Sequence, residues 1–126
     1  MGPLYSLRSR AARVAFAAVS GHFEEPKVVD YDAGESYPDG VDIGTSPRSI
    51  PLGHRVKAHC IAYSDTGDYF MARLTGWFVD PDGIKRAEHS WIHSVWPKPT
   101  RTFAFTEDIT LDKPGMWVFH AKMEEA

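Results

Sequence analysis

His89 and His93 stand four residues apart in "HSWIHSVW". On a helix that spacing would bring two imidazoles to one metal ion. Here aromatic and polar residues alternate, so the segment reads as a strand. Four residues of strand span about 13 Å, too far for two rings to share one zinc. A metal site would then need a cross-strand partner such as His59 or His120. The simpler reading of all six histidines is surface or half-buried imidazoles, and no metal or cofactor is assigned.

Nucleophiles and acids point the same way. Cys60 is the single cysteine, so neither an internal disulfide nor a cysteine zinc cluster can form. It falls among small residues on the core side of its segment, where a thiol is inert. Glu107 with Asp108, and Glu124 with Glu125, are adjacent pairs that a strand would aim at opposite faces. Asp65, Asp68, Asp80 and Asp82 lie in turn sequences, where a carboxylate caps its own backbone. The chain has no G-x-S-x-G elbow, no H-E-x-x-H and no phosphate-binding loop. The expectation is a non-enzymatic protein.

The tryptophans carry more information. Trp117 and Phe119 read as core. Trp77, Trp91 and Trp96 are harder to hide. If Trp77 faces away from the core, it meets Trp91 across a hairpin, and such aromatic pairs stabilise by up to about 1 kcal/mol. The same rings read alternatively as an exposed protein-binding patch, or as a flat platform for a sugar. Trp77, Trp91 and Trp96 are therefore interface candidates. Arg8, Arg10 and Arg13 join them, because they make the N-terminal stretch basic with no acid before Glu24.

These side chains must be placed by strands. From Val28 onward the apolar pattern has period two and is broken by turn residues. In "RVKAHCIAY", Val56, Ala58, Cys60 and Ala62 share one face, and Arg55, Lys57, His59 and Ile61 the other. In "YFMARLTGWFV", Phe70, Ala72, Leu74, Gly76 and Phe78 alternate with Met71, Arg73, Thr75, Trp77 and Val79. "DPDG" at 80–83 and "DKPG" at 112–115 supply turn chemistry. Phe103 and Phe105 share a face, as do Trp117 and Phe119. "SIPLG" is edge-like, since Pro51 cannot donate a ladder hydrogen bond. The stretch 32–49 reads as a long loop, or alternatively as one interrupted by a short edge strand at "VDI". About seven strands at regular spacing predict an all-β, antiparallel sandwich. Its domain runs over 27–126, preceded by an arm or first strand over 1–26.

Totals agree. At 126 residues the chain is one domain that can bury a core unaided. Its net charge of −3 gives no reason to expect nucleic acid, which calls for clustered positive charge. The aromatic content of 13% suits a β core. No run reaches the ~18 apolar residues of a membrane span. "VAFAAV" is too short for a signal peptide's apolar region, though the Arg, Ser and Ala content of 1–20 is also that of a transit peptide.

The pairing of "FVDPDGI" with a later "FTEDITLDKPGMWVFHAKM" resembles Ig-like β-sandwich modules of bacteria and archaea, of the cell-adhesion-related CARDB-like type. The match covers roughly 50–123. Such modules often hold a core tryptophan four residues before the first turn, where this chain has Gly76. The resemblance implies a structural unit that binds another protein or its own copies, within a larger cell-surface, extracellular or virion assembly. The alternative is a carbohydrate-binding module that uses the tryptophans on a glycan.

Overall fold

A computed structural model describes the backbone of residues 4–17, 20–37 and 48–126, and the side chains of residues 20–34 and 50–126. Ten strands occur there: β1 (Leu4–Ala17), β2 (Gly21–Asp30), β3 (Glu35–Tyr37), β4 (Arg48–Pro51), β5 (Arg55–Ser64), β6 (Phe70–Val79), β7 (Lys85–Val95), β8 (Thr102–Phe105), β9 (Ile109–Thr110) and β10 (Trp117–Glu125). Sheet A has the order β4-β1-β10-β6-β7 and sheet B the order β3-β2-β5-β8, with β9 paired to β5. Pairing is antiparallel except between β1 and β10, which run parallel. The protein is an all-β sandwich. Among the described residues no helix is long and apolar enough to cross a membrane.

The alternation read from the sequence builds the core. Val56, Ala58, Cys60 and Ala62 of β5 face Ala72, Leu74 and Phe78 of β6, and Trp117, Phe119, Ala121 and Met123 of β10 fill the space between. Phe78 lies edge-on to both Trp117 and Phe119, with ring centroids 6.2 Å away in each case. That geometry matches the positive ring edge to the negative ring face. β4 is an edge strand, in keeping with its terminal Pro51.

Two features differ from the alternation alone. The first concerns the segment before Lys27. Residues 1–26 supply β1 and the first part of β2, and β1 lies inside sheet A between β4 and β10. Glu25 has a positive φ of 52°, and the β2–β5 register shifts between Glu24 and Lys27. This bulge breaks the period-two pattern, so β2 reads from sequence as starting later than it does. The second concerns the long stretch after Tyr31. Part of the expected loop over 32–49 is strand, since β3 lies within it and pairs with β2, and β4 begins at Arg48; "VDI" lies outside the described residues.

Phe103 and Phe105 also require comment. Ala104 pairs with Cys60 on the core side, whereas Phe103 pairs with Ile61 and Phe105 with His59 on the outer side. The small residues of β8 face inward because β6 presses against it. A Cβ on Gly76 would sit 2.6 Å from the backbone carbonyl of Phe105. Packed sheets ordinarily lie about 10 Å apart, so the two sheets converge here until backbone meets backbone. No side chain fits at Gly76, and a tryptophan least of all.

Gly76→Ala is expected to destabilise the fold by about 3 kcal/mol, because main-chain atoms cannot swing aside. Gly83→Ala, at φ 81° with open space around it, costs about 1 kcal/mol. Urea denaturation midpoints compare the two, and equal losses would contradict the close approach.

Candidate functional site

The turn after β6 and the turn before β10 form one polar assembly. Asp80 is buried, with 3% of its surface exposed. Its Oδ1 accepts the N–H groups of Asp82 and Ile84, at 2.9 and 3.0 Å. Its Oδ2 accepts from the Arg86 guanidinium and the Lys113 ammonium, both at 3.2 Å. Arg86 also grips Asp112 with two nitrogens, at 3.1 and 2.8 Å, and Lys113 reaches Asp82 at 2.8 Å. Burial alone would raise the Asp80 pKa. The Ile84 N–H, Lys113, Arg86 and the Asp82 N–H outweigh it and hold the pKa down to about 2. The Arg86 guanidinium lies 5.2 Å from the Trp117 ring centroid. The Trp117 indole N–H donates to the Lys113 carbonyl at 3.0 Å. Gly115 adopts φ 127° against Pro81, where a Cβ would lie 2.8 Å from the proline ring. The whole "DKPGMW" stretch is thereby an anchor for the "DPDG" turn.

The three candidate tryptophans do not form one surface. Trp77 is on the outer face of sheet A and stacks flat on His120, with centroids 5.5 Å apart and planes 7° from parallel. Lys85 lies 4.6 Å from the same indole centroid. Trp91 faces the opposite way. It pairs with Leu74, and its indole N–H donates to the Phe103 carbonyl at 2.9 Å. The expected Trp77–Trp91 cross-strand pair is therefore not made. Two things separate them: the turn at 80–83 sets Phe78 opposite Arg86, which places Trp91 several positions further along the ladder than Trp77, and a bulge shifts the β6–β7 register between Gly76 and Phe78, opposite Ala87 with its φ of 57°. One extra residue flips every later side chain of β7 to the other face. Trp96 is exposed, stacked on Tyr69 at 4.6 Å. Arg8, Arg10 and Arg13 lie on β1, with Arg8 opposite Val118. Their side chains are outside the described residues.

Around Trp96 the sheet gathers apolar groups that the sequence reading did not single out. Tyr69, Met71, Ile92 and Trp96 are 48%, 45%, 48% and 39% exposed. Met71 pairs with Ser94, and Ile92 with Arg73, on the outer face of the β6–β7 ribbon. The signal was present: Tyr69 and Met71 are apolar at positions alternating with core residues.

His22, His54, His89 and His93 are each held by local hydrogen bonds. His22 lies between Glu24 and Asp65, and the Glu24 hydrogen bond is the main reason its pKa is raised. His89 meets Glu107 at 2.8 Å and stacks on Phe105 at 4.4 Å. His93 contacts the Ser94 carbonyl at 3.0 Å. Asp30, Asp32 and His54 bring three ligand-type atoms within 4.8 Å of one another. Those atoms are already engaged. Asp30 Oδ1 accepts from Asp32 and Ala33 N–H, Asp30 Oδ2 meets His54 Nδ1 at 2.9 Å, and Asp32 accepts from Arg55 N–H. The arrangement pins a turn. His54 stands 24 positions from Asp30, so the sequence carries no spacing signal for it. Cys60 is fully buried, and burial drives its thiol pKa far upward.

No family model matches this chain, and neither a curated protein nor a solved structure does so.

Two outcomes follow from these environments. A carboxyl whose folded pKa is depressed contributes stability that is present above its ordinary value and lost as pH falls towards the folded one. Asp80 therefore contributes to an acid limb between about pH 4 and about pH 2. Asp80→Asn is expected to lower the melting temperature at pH 7 and to flatten that limb. A variant with the wild-type pH profile would show that the assembly does not couple to folding. Cys60, for its part, is expected to resist a thiol reagent in the native state and to react at the rate of global opening. Rapid labelling without denaturant would contradict its place in the core.

Proposed function

We propose that this protein is a non-enzymatic, Ig-like β-sandwich module that binds protein, in the first instance a second copy of itself, through the outer face of the β6–β7 edge. The carrying observation is the cluster of Tyr69, Met71, Ile92 and Trp96, four large apolar side chains exposed together at one end of an edge ribbon. Contiguous apolar patches of this kind mark interaction surfaces. Tyr and Trp lose little conformational freedom on docking, and Met adapts to a partner's shape.

The edge itself supports the same reading. The carbonyls of Ser94 and Trp96 point away from β6, to Thr102 and to the Ser64 N–H. In an antiparallel ladder the outward peptides alternate. Those of Ser90 and Ile92 therefore lie on the outward side, available to an added strand. The resemblance to CARDB-like modules favours a spacer or adhesion role in a larger surface or particle assembly. The non-enzymatic reading draws on the places of the reactive groups: Cys60 is sealed in the core, and the Asp80 and Asp30 carboxylates hold turns.

The carbohydrate alternative rests on Trp96 and Tyr69, two exposed rings in one stack. Trp77 is covered by His120, and the Trp91 N–H is already bonded.

Light scattering tests the protein-binding reading. The wild-type chain is expected to exceed its monomer mass of 14.1 kDa as concentration rises. The Met71→Glu/Ile92→Glu double variant is expected to stay monomeric with unchanged circular dichroism. A wild-type monomer at all concentrations would remove self-association. Binding to a polysaccharide that is lost in Trp96→Ala would favour the glycan reading.

A further inference from the structure

We propose that the groove on the outer face of sheet B, formed by Lys57, His59, Phe103 and Phe105, is a binding site for a small aryl carboxylate. This site lies on the other sheet from the Tyr69–Trp96 patch, so either can fail without the other.

The groove is open and holds about 330 Å³. That is the lower end of the range for small-molecule sites, which suits a single ring with a short acidic arm and is too small for a length of peptide. Its apolar surface comes from β8. Phe103 and Phe105 face outward because the backbone of β6 leaves no room for them on the inside. Phe105 already carries the Lys57 ammonium over its ring and His89 stacked on it, so an incoming ring meets chiefly Phe103 and the edge of Phe105, in edge-to-face or offset contact.

The polar side comes from β5. The Lys57 ammonium lies over the Phe105 ring, 4.6 Å from its centroid, so a positive charge is held at the floor of the groove. Lys27 pairs with His59 across the β2–β5 ladder and adds a second positive charge to the same region. His59 meets Phe103 edge-on, with centroids 5.5 Å apart. Its Nδ1 is buried with no hydrogen-bond partner. A bare lone pair costs less to bury than an unpaired N–H, which puts the ring's proton on Nε2. Burial, then Lys27 and Lys57, lower the His59 pKa and so disfavour the charged ring. Glu107, two residues beyond Phe105, is held by His89. Aromatic contact and an anion are thus required together: the rings take the aryl group, and the ammonium takes the carboxylate at charge-assisted distance.

3-Phenylpropionate is the probe, and 3-phenylpropionamide is its uncharged control. Titration of isotope-labelled protein, followed by NMR, is expected to show saturable shifts centred on Lys57, His59, Phe103 and Phe105. The dissociation constant is expected on the order of 1 mM, as befits a small ligand in an open site. The amide is expected to bind at least about fivefold more weakly, and Lys57→Gln to weaken the acid about tenfold. Phe105→Leu, which keeps an apolar side chain at a surface position, is expected to weaken acid and amide alike. Each of three results would overturn the proposal. The shifts could fail to saturate or centre elsewhere, the amide could bind as well as the acid, or folded Lys57→Gln could retain wild-type affinity.

Discussion

A buried carboxylate needs every lone pair answered, or burial makes it a liability. Asp80 meets that condition with donors from two distant parts of the chain. Two backbone N–H groups close the turn after β6, and two cations bring in β7 and the turn before β10. The consequence is geometric. The hairpin cannot slide without pulling Arg86 from Asp80 and Asp112. The last strand cannot shift without withdrawing Lys113 and the Trp117 indole. Trp117 is the largest fully buried side chain. The strongest polar and the largest apolar anchors therefore act on the same few residues, and each fixes the other's position.

A second constraint grows from the first. With Val79 opposite Lys85 and Phe78 opposite Arg86, the chain enters β7 in a fixed register, and Ala87 then bulges. The bulge turns His89, Trp91 and His93 towards the sandwich and Ser90, Ile92 and Ser94 outward. Trp91 covers the free edge of β8 through its hydrogen bond to the Phe103 carbonyl, and the Glu107 N–H bonds the Ala87 carbonyl at 2.8 Å. The side of the sandwich where β6 meets β8 is closed by these contacts. Closure protects the β8 edge from pairing with another chain, and it leaves the middle of β7 as the exposed counterpart.

What the sequence made legible follows the physics of each level. Alternation is local, so the faces of β5, β6 and β10 could be read directly, and the turn residues at 80–83 and 112–115 announced themselves. Bulges are one-residue events set by tertiary contacts. Those at Glu25 and Ala87 hid the start of β2 and reversed the face of Trp91. The outward aim of Phe103 and Phe105 was equally hidden, since it depends on how closely β6 approaches. Gly76 carried that information, but a glycine in a strand states only that something comes near, not what. The parallel β1–β10 pair had no signal at all, because partner choice in a sheet is a property of the whole fold. The exposed apolar patch was partly visible: Trp96 stood out as a large ring, while Tyr69 and Met71 needed the alternation to be read for exceptions on the polar face.

The outer surface of sheet B acquires its character from the approach of β6 to β8. Because the backbones touch there, the bulky side chains of β8 can be placed only outside, which builds an aromatic surface on sheet B. On sheet A the outer side of the β6–β7 ribbon has no further layer of the described residues packed on it, and Tyr69, Met71, Ile92 and Trp96 are exposed there. An apolar group exposed by a constraint such as that on β8 differs from one scattered at random, since its neighbours are exposed for the same reason and form a continuous surface. Gly76 thus governs how closely the two sheets approach and, through that, the outward aim of Phe103 and Phe105.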